Sequence, residues 1–166
     1  LTNSAREPIN AVHGFAGFLA GFLAEANPTH AAVVFDESLT TSFRNDLYPD
    51  YKANREPAPP ELKRQFRMCR QLVEALGLAG YSSDRYEADD YLATLARVMR
   101  GRGLPVTLVT RDKDLGQLLL SEGDRWWDYA ADTWLDAVSF AGRFGVRPEQ
   151  FADYLALVGD PVDDIP

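Results

Sequence analysis

Apolar residues recur along this chain in two rhythms, one helical and one extended. Between residues 8 and 25, Val12, Phe15, Leu19, Phe22 and Leu23 fall at helical spacing behind Pro8, which suits a first turn. Asn27-Pro28 ends that helix, because a residue before proline avoids the helical region. The run AAVVFD at 31–36 predicts a buried parallel strand with Asp36 at its carboxyl end. Residues 37–60 hold no sustained period and many prolines. A helix follows over 60–76, with Leu62, Phe66, Cys69, Val73 and Leu76 on one face and Gly77 as its stop. Lys63, Arg67 and Arg70 line a second, solvated face. Ala88, Leu92, Leu95 and Met99 mark a helix over 87–100, broken by Gly101 and Gly103. Residues 105–110 (PVTLVT) predict a second buried strand, and Leu115–Leu120 looks helical. Residues 125–140 fit neither rhythm, and Trp126-Trp127 reads as edge-strand packing. Pro148 opens a last helix with Phe151, Leu155 and Val158 inward. Strands alternating with helices predict an α/β sheet covered on both faces.

Composition narrows the class. A chain of 166 residues, 46% hydrophobic and 25% charged, is long enough for one domain with a real core. The lone Cys69 excludes an internal disulfide and suits a reducing cytoplasm. No stretch reaches the roughly 18 apolar residues that span a bilayer, and no signal peptide is visible. The start at Leu1 and the stop at Pro166 read as the limits of a fragment. The net charge of −8 is unevenly spread. Residues 44–70 hold seven Lys/Arg against four Asp/Glu (+3), and the remainder ten against twenty-one (−11). A basic segment in an acidic body suggests two kinds of ligand, a polyanion and cations.

The acids fall in clusters. Glu87, Asp89 and Asp90 open the helix at 87, where the helix dipole favours an acid but not three adjacent ones without a cation. Asp36 ends one strand, Asp112 and Asp114 follow another, and Asp160 and Asp163 lie in the last loop. A parallel sheet gathers such strand ends on one edge, where α/β sheets bind their ligands. Carboxylates with no Cys or His select hard ions, hence Mg²⁺ or Mn²⁺. Two such ions form the clamp used for in-line attack on phosphodiesters. In the basic segment, Tyr48, Tyr51, Lys52 and Arg55 combine aromatics with cations, a composition suited to single-stranded nucleic acid.

Five stretches together resemble the 5′-nuclease family: VVFD at 33–36, SFRNDLYPDYKANR at 42–55, YEADD at 86–90, TRDKD at 110–114 and GDPVDDIP at 159–166. That family includes the N-terminal nuclease domain of bacterial DNA polymerase I, free-standing 5′–3′ exonucleases and flap endonucleases. The resemblance implies a PIN-like or resolvase-like three-layer α/β fold with a mostly parallel central sheet. It implies a catalytic domain over 1–158, an arch or clamp segment over 37–60, and the start of a helix–hairpin–helix region at 159–166. Asp36, Glu87, Asp89 and Asp90 match acids around the first metal site, and Asp112, Asp114, Asp160 and Asp163 those around the second. Lys52 and Arg55 match basic catalytic residues near the scissile phosphate, and Arg44 and Tyr51 join them as DNA contacts. Two Mg²⁺ or Mn²⁺ ions, a DNA substrate with a free 5′ end or flap, or an RNA primer displaced on it, and a fused or separate DNA polymerase follow as expectations. The expected protein is a cytoplasmic monomer, off the membrane, acting in DNA replication and repair. The family also carries a first-strand aspartate upstream of Leu1, and Asp164 stands where many members have Asn.

Three other readings compete. A PIN-like ribonuclease shares the fold class but lacks the arch segment. A metal- and DNA-binding scaffold with weak or no turnover follows if the first-strand aspartate is missing. A phosphotransferase would need DxD after its first strand, whereas Asp36 is followed by Glu37-Ser38.

Overall fold

The computed structural model describes residues 1–37 and 41–159. Helix α1 (Asn10–Ala26) leads into strand β1 (Ala32–Asp36), and a short helix α2 (Phe43–Leu47) follows. Next come α3 (Pro60–Ala75), β2 (Ala79–Ser83), α4 (Ala88–Gly101) and β3 (Thr107–Val109). A 3₁₀ turn (Lys113–Leu118), β4 (Arg125–Asp128), β5 (Thr133–Leu135), α5 (Ala137–Phe144) and α6 (Phe151–Val158) complete the order.

The strands form two hydrogen-bonded groups. β1 pairs with β2 in parallel, Asp36 opposite Ser83, and β3 pairs with β4 in parallel while β4 pairs with β5 antiparallel. Helices cover both faces, and the period-2 alternation of strands sets which. Gly80 turns toward Val73 of α3, and its neighbour Tyr81 stacks on Tyr91 of α4 at 5.9 Å. On β4, Trp127 meets Phe22 of α1, whereas Trp126 enters the core with Leu108, Leu115, Leu119, Leu135, Phe140 and Phe151. The layers are thus α1 and α3, the strands, then α4, α5 and α6.

β1 and β3 do not pair with each other among the described residues. A cavity of about 460 Å³ lies between them, lined by Val33, Val34, Leu108 and Val109, with Phe18 and Phe22 of α1 and Leu92 of α4 at its walls. This opening explains a departure from the sequence pattern. Val33–Phe35 are only half-buried, and Thr107 is exposed, although both runs have the composition of buried strands. The Trp126-Trp127 pair is a second correction. β4 is the middle strand of its group, and both rings are buried. Trp127 stacks on Trp134 at 4.0 Å, so the pair fills the core on both faces rather than at an edge.

In α3 the predicted face holds at Cys69 and Val73, which are buried, and at half-buried Leu62, but Gln65 takes the place expected of Phe66. Gln65 is buried and its Oε1 accepts from the Ala11 N–H at 2.8 Å, tying α3 to the start of α1, while Phe66 is exposed. Leu76 at the helix end is also exposed. The polar run AGYSS forms β2 with no sequence signal of its own, because pairing to β1 supplies what propensity does not. The helix expected at 115–120 is instead a 3₁₀ turn over Lys113–Leu118, and α5 emerges from the stretch that fits neither rhythm, started by Asp136 as a capping box with Ser139.

Candidate metal and nucleic-acid site

The acidic helix start is built locally. Glu87 caps α4, its own N–H donating to Asp90 Oδ2 at 2.9 Å, a reciprocal arrangement that fixes both carboxylates at the first turn. Asp36, at the carboxyl end of β1, accepts from the Ala88 N–H at 2.7 Å. One strand end and one helix start are thereby locked together, as the parallel-sheet argument requires. Asp112 follows β3 and accepts from the Asp114 N–H at 2.9 Å, and the Trp126 indole N–H donates to the Asp112 carbonyl at 2.8 Å. The buried ring beneath thus fixes the turn that presents both acids.

The two groups face one another. Burial, then Asp112, Asp36 and Glu87, push the Asp89 carboxyl up to about 6, with Lys52 acting the other way. Acids from β1, α4 and the turn after β3 therefore act on one side chain. Among the described residues, no three His, Cys, Asp or Glu side chains converge on one ion-sized point. Asp160 and Asp163 lie outside the described residues, as do Asp164 and the proposed start of a helix–hairpin–helix.

The basic segment folds onto the acids. Lys52 Nζ donates to Glu87 Oε2 at 2.7 Å, and the Tyr51 hydroxyl donates to the same oxygen at 3.1 Å. Glu87 and Tyr51 are both buried. Burial opposes the Lys52 ammonium, but its hydrogen bonds to Glu87 and Tyr51 outweigh that, and its pKa is raised. Lys52 holds a left-handed backbone (φ 57°), the bend that turns its side chain inward at the end of the Tyr48–Tyr51 turn. Arg44 makes a bidentate pair with Asp90, both contacts at 2.8 Å. The Arg44 hydrogen bond holds Asp90 below the usual carboxylate range and raises Arg44 in turn. Lys52 and Arg44 thus stand on the acids where a divalent cation would carry the charge. The all-oxygen donor set, the conflict at Asp89 and these stand-in cations fit hard divalent ions.

Arg55 lines a cavity of about 510 Å³ that Asp112 and Asp114 also line. Its other walls include Arg111, Lys113, Asp128 and Arg143. Asp128 ends β4 on the same edge as Asp36 and Asp112, and Arg111 reaches it at 3.5 Å. Sequence reasoning missed Asp128 and Arg143, because the strand and helix that carry them lay in the stretch without a clear rhythm. The available signal was an acid closing the run RWWD.

The profile described as 5′-3′ exonuclease, N-terminal resolvase-like domain matches residues 1–145. The chain is 41% identical over 167 residues to thermostable DNA polymerase I of Thermus aquaticus, covering 100% of this chain and 20% of that protein. It is 40% identical over 149 residues to flap endonuclease Xni of Serratia proteamaculans, covering 89% of this chain and 59% of that one. Zinc-bound T5 5′-exonuclease superposes with a TM-score of 0.74 at 20% identity, covering 99% of this chain and 63% of that one. A T5 flap endonuclease complex with DNA and metal ions superposes with a TM-score of 0.72 at 19% identity, covering 89% and 58% respectively. The chain therefore spans about a fifth of the polymerase relative's length.

Proposed function

The chain belongs to the 5′-3′ exonuclease family's N-terminal, resolvase-like domain, and from that membership we propose that it hydrolyses phosphodiesters of DNA at a free 5′ end or 5′ flap, leaving 5′ phosphates. The observation that carries this reading is the confrontation of acids from separate elements at Asp89, with basic side chains of the 44–55 segment already seated on them. A solvated acidic patch would not gather around a half-buried carboxylate. Asp36, Glu87, Asp89 and Asp90 form one metal-holding group, and Asp112 and Asp114, with Asp160 and Asp163, the other. When bound, two Mg²⁺ or Mn²⁺ ions would supply charge to activate water and to stabilise the departing oxygen.

The chain's own residues position the substrate. Asp36 and the Glu87–Asp90 box hold their carboxylates before any ligand arrives, so little reorganisation is needed. Lys52 and Arg44, seated on Glu87 and Asp90, are the cations that would serve the phosphate if divalent ions held those carboxylates. Lys52 offsets charge that develops on it, and Arg55 takes the neighbouring strand. Tyr51, buried and braced on Glu87, holds the segment that presents Lys52 to the displaced arm. A DNA polymerase, fused or separate, is the expected partner, and the buried thiol of Cys69 suits a cytoplasmic setting.

The test is cleavage of 5′-labelled flap DNA by the full-length protein with Mg²⁺, Mn²⁺ or EDTA. Cleavage requires the divalent ion, and Asp112→Asn slows it by about 100-fold or more, the scale of several kcal/mol of lost charge stabilisation. The same variant binds DNA in calcium at least as well as the parent, because a negative charge has gone. Cleavage that persists in EDTA, or an Asp112→Asn protein of parental rate, removes the site from the chemistry.

A further inference from the structure

We infer that Arg143, on α5 and outside every motif of the sequence, is a phosphate-binding residue that positions the DNA strand beside the Asp112–Asp114 group. The inference rests on the nuclease reading and extends it to a residue that nothing in the chain's pattern marks. The cavity beside those acids is walled by four cations, Arg55, Arg111, Lys113 and Arg143, against three carboxylates, Asp112, Asp114 and Asp128. That balance is +1 before any divalent ion is added (four minus three), and strongly positive afterwards. A cavity of this sign takes a polyanion. Its cations come from three separate places: the loop after α2, the turn after β3, and α5. They therefore border a track rather than a point.

Arg143 differs from the others in its partners. Arg111 reaches Asp128 at 3.5 Å and Lys113 reaches Asp114 at 2.8 Å. Arg143 makes no ion pair among the described residues, and its guanidinium lies over the Phe144 ring at 5.6 Å. Phe144 packs against buried Phe140 at 4.5 Å, so the ring under the guanidinium is anchored in the core. A guanidinium laid on an anchored ring keeps its planar fork available for a phosphate. The simpler account, a cation favoured in the last turn of a helix, explains the charge but not its place in the wall of this cavity. It also makes a different prediction, since a helix-end cation affects stability and not the substrate.

The experiment is single-turnover cleavage of 5′-flap DNA by the full-length protein in Mn²⁺, with affinity measured in calcium over a range of KCl. Arg143→Gln should raise the half-saturating protein concentration about tenfold, the size of one lost charge-assisted contact. Its rate at saturation should stay within about twofold of the parent. Its slope of log affinity against log salt should become shallower by about 0.7–0.9, one phosphate's worth. Arg143→Lys should keep the slope, and Arg97→Gln, exposed on α4, should match the parent throughout. An unchanged slope and half-saturation for Arg143→Gln overturn the inference, as does Arg143→Lys losing as much as Arg143→Gln, which would mark a packing role on Phe144. A parent that neither cleaves nor binds the flap sinks the nuclease reading itself, and this inference with it.

Discussion

Asp89 shows how much chemistry a single side chain can report. Its pKa of about 6, against an ordinary 3.8, means that the folded chain holds this proton more tightly than the unfolded one. The stability it contributes is fully present below about pH 4 and is lost as pH rises through about 6. The metal-free protein therefore carries an electrostatic penalty at neutral pH. Asp89→Asn should raise stability in EDTA at pH 7.5 by about 1–2 kcal/mol, allowing for the solvent at its exposed edge, and the gain should fade by pH 4. Urea unfolding at the two pH values checks this, and an equal effect at both would refute the electrostatic cause. The clustering of the acids was legible from strand ends and helix starts. The pairing of Arg44 with Asp90, rather than with substrate, was not, because 46 residues separate partners that only the fold unites. Gln65 was missed for a related reason. Its burial depends on one hydrogen bond to the end of another helix, which a hydrophobic rhythm does not register.

At the scale of elements, long periodic segments declared themselves and short ones did not. α1, α3 and α4 each carry several turns of apolar spacing, so local pattern and tertiary packing agree. β2 has none, and exists because β1 offers it an edge. The run RWWD reads as edge-strand packing until β4 is seen between β3 and β5, where each face needs a large ring. The 3₁₀ turn after Asp112 depends on a similar close fit. A Cβ on Gly116 would drive into the buried Phe140 ring of α5. Gly116→Ala should therefore destabilise the fold by about 1–3 kcal/mol through overpacking. Chemical denaturation measures this, and the companion Gly101→Ala, where nothing lies within 4 Å, should not show it. Because Gly116 sits four residues after Asp112, the same substitution should loosen the turn that presents the acids.

Over the whole molecule, the charge of −8 and the two facing acidic groups oppose compactness until cations arrive. Mn²⁺ binding to the folded state alone should add about 2.7 kcal/mol at one hundred times its dissociation constant. Thermal midpoints in EDTA and in millimolar Mn²⁺ test this directly, and equal midpoints would argue against a gathered site.

The opening between β1 and β3 has a mechanical consequence. Asp36 rides on the β1–β2 pair, whereas Asp112 and Asp128 ride on the β3–β4–β5 group. No backbone rung joins these two plates among the described residues. They are clasped instead by side chains, with Phe22 of α1 against Trp127 on one face, and on the other α4, which touches β1, β2 and the 3₁₀ turn and packs Leu92 against the core of the second plate. The spacing of the two acidic groups therefore rests on side chains packed across an apolar seam and not on a continuous backbone ladder.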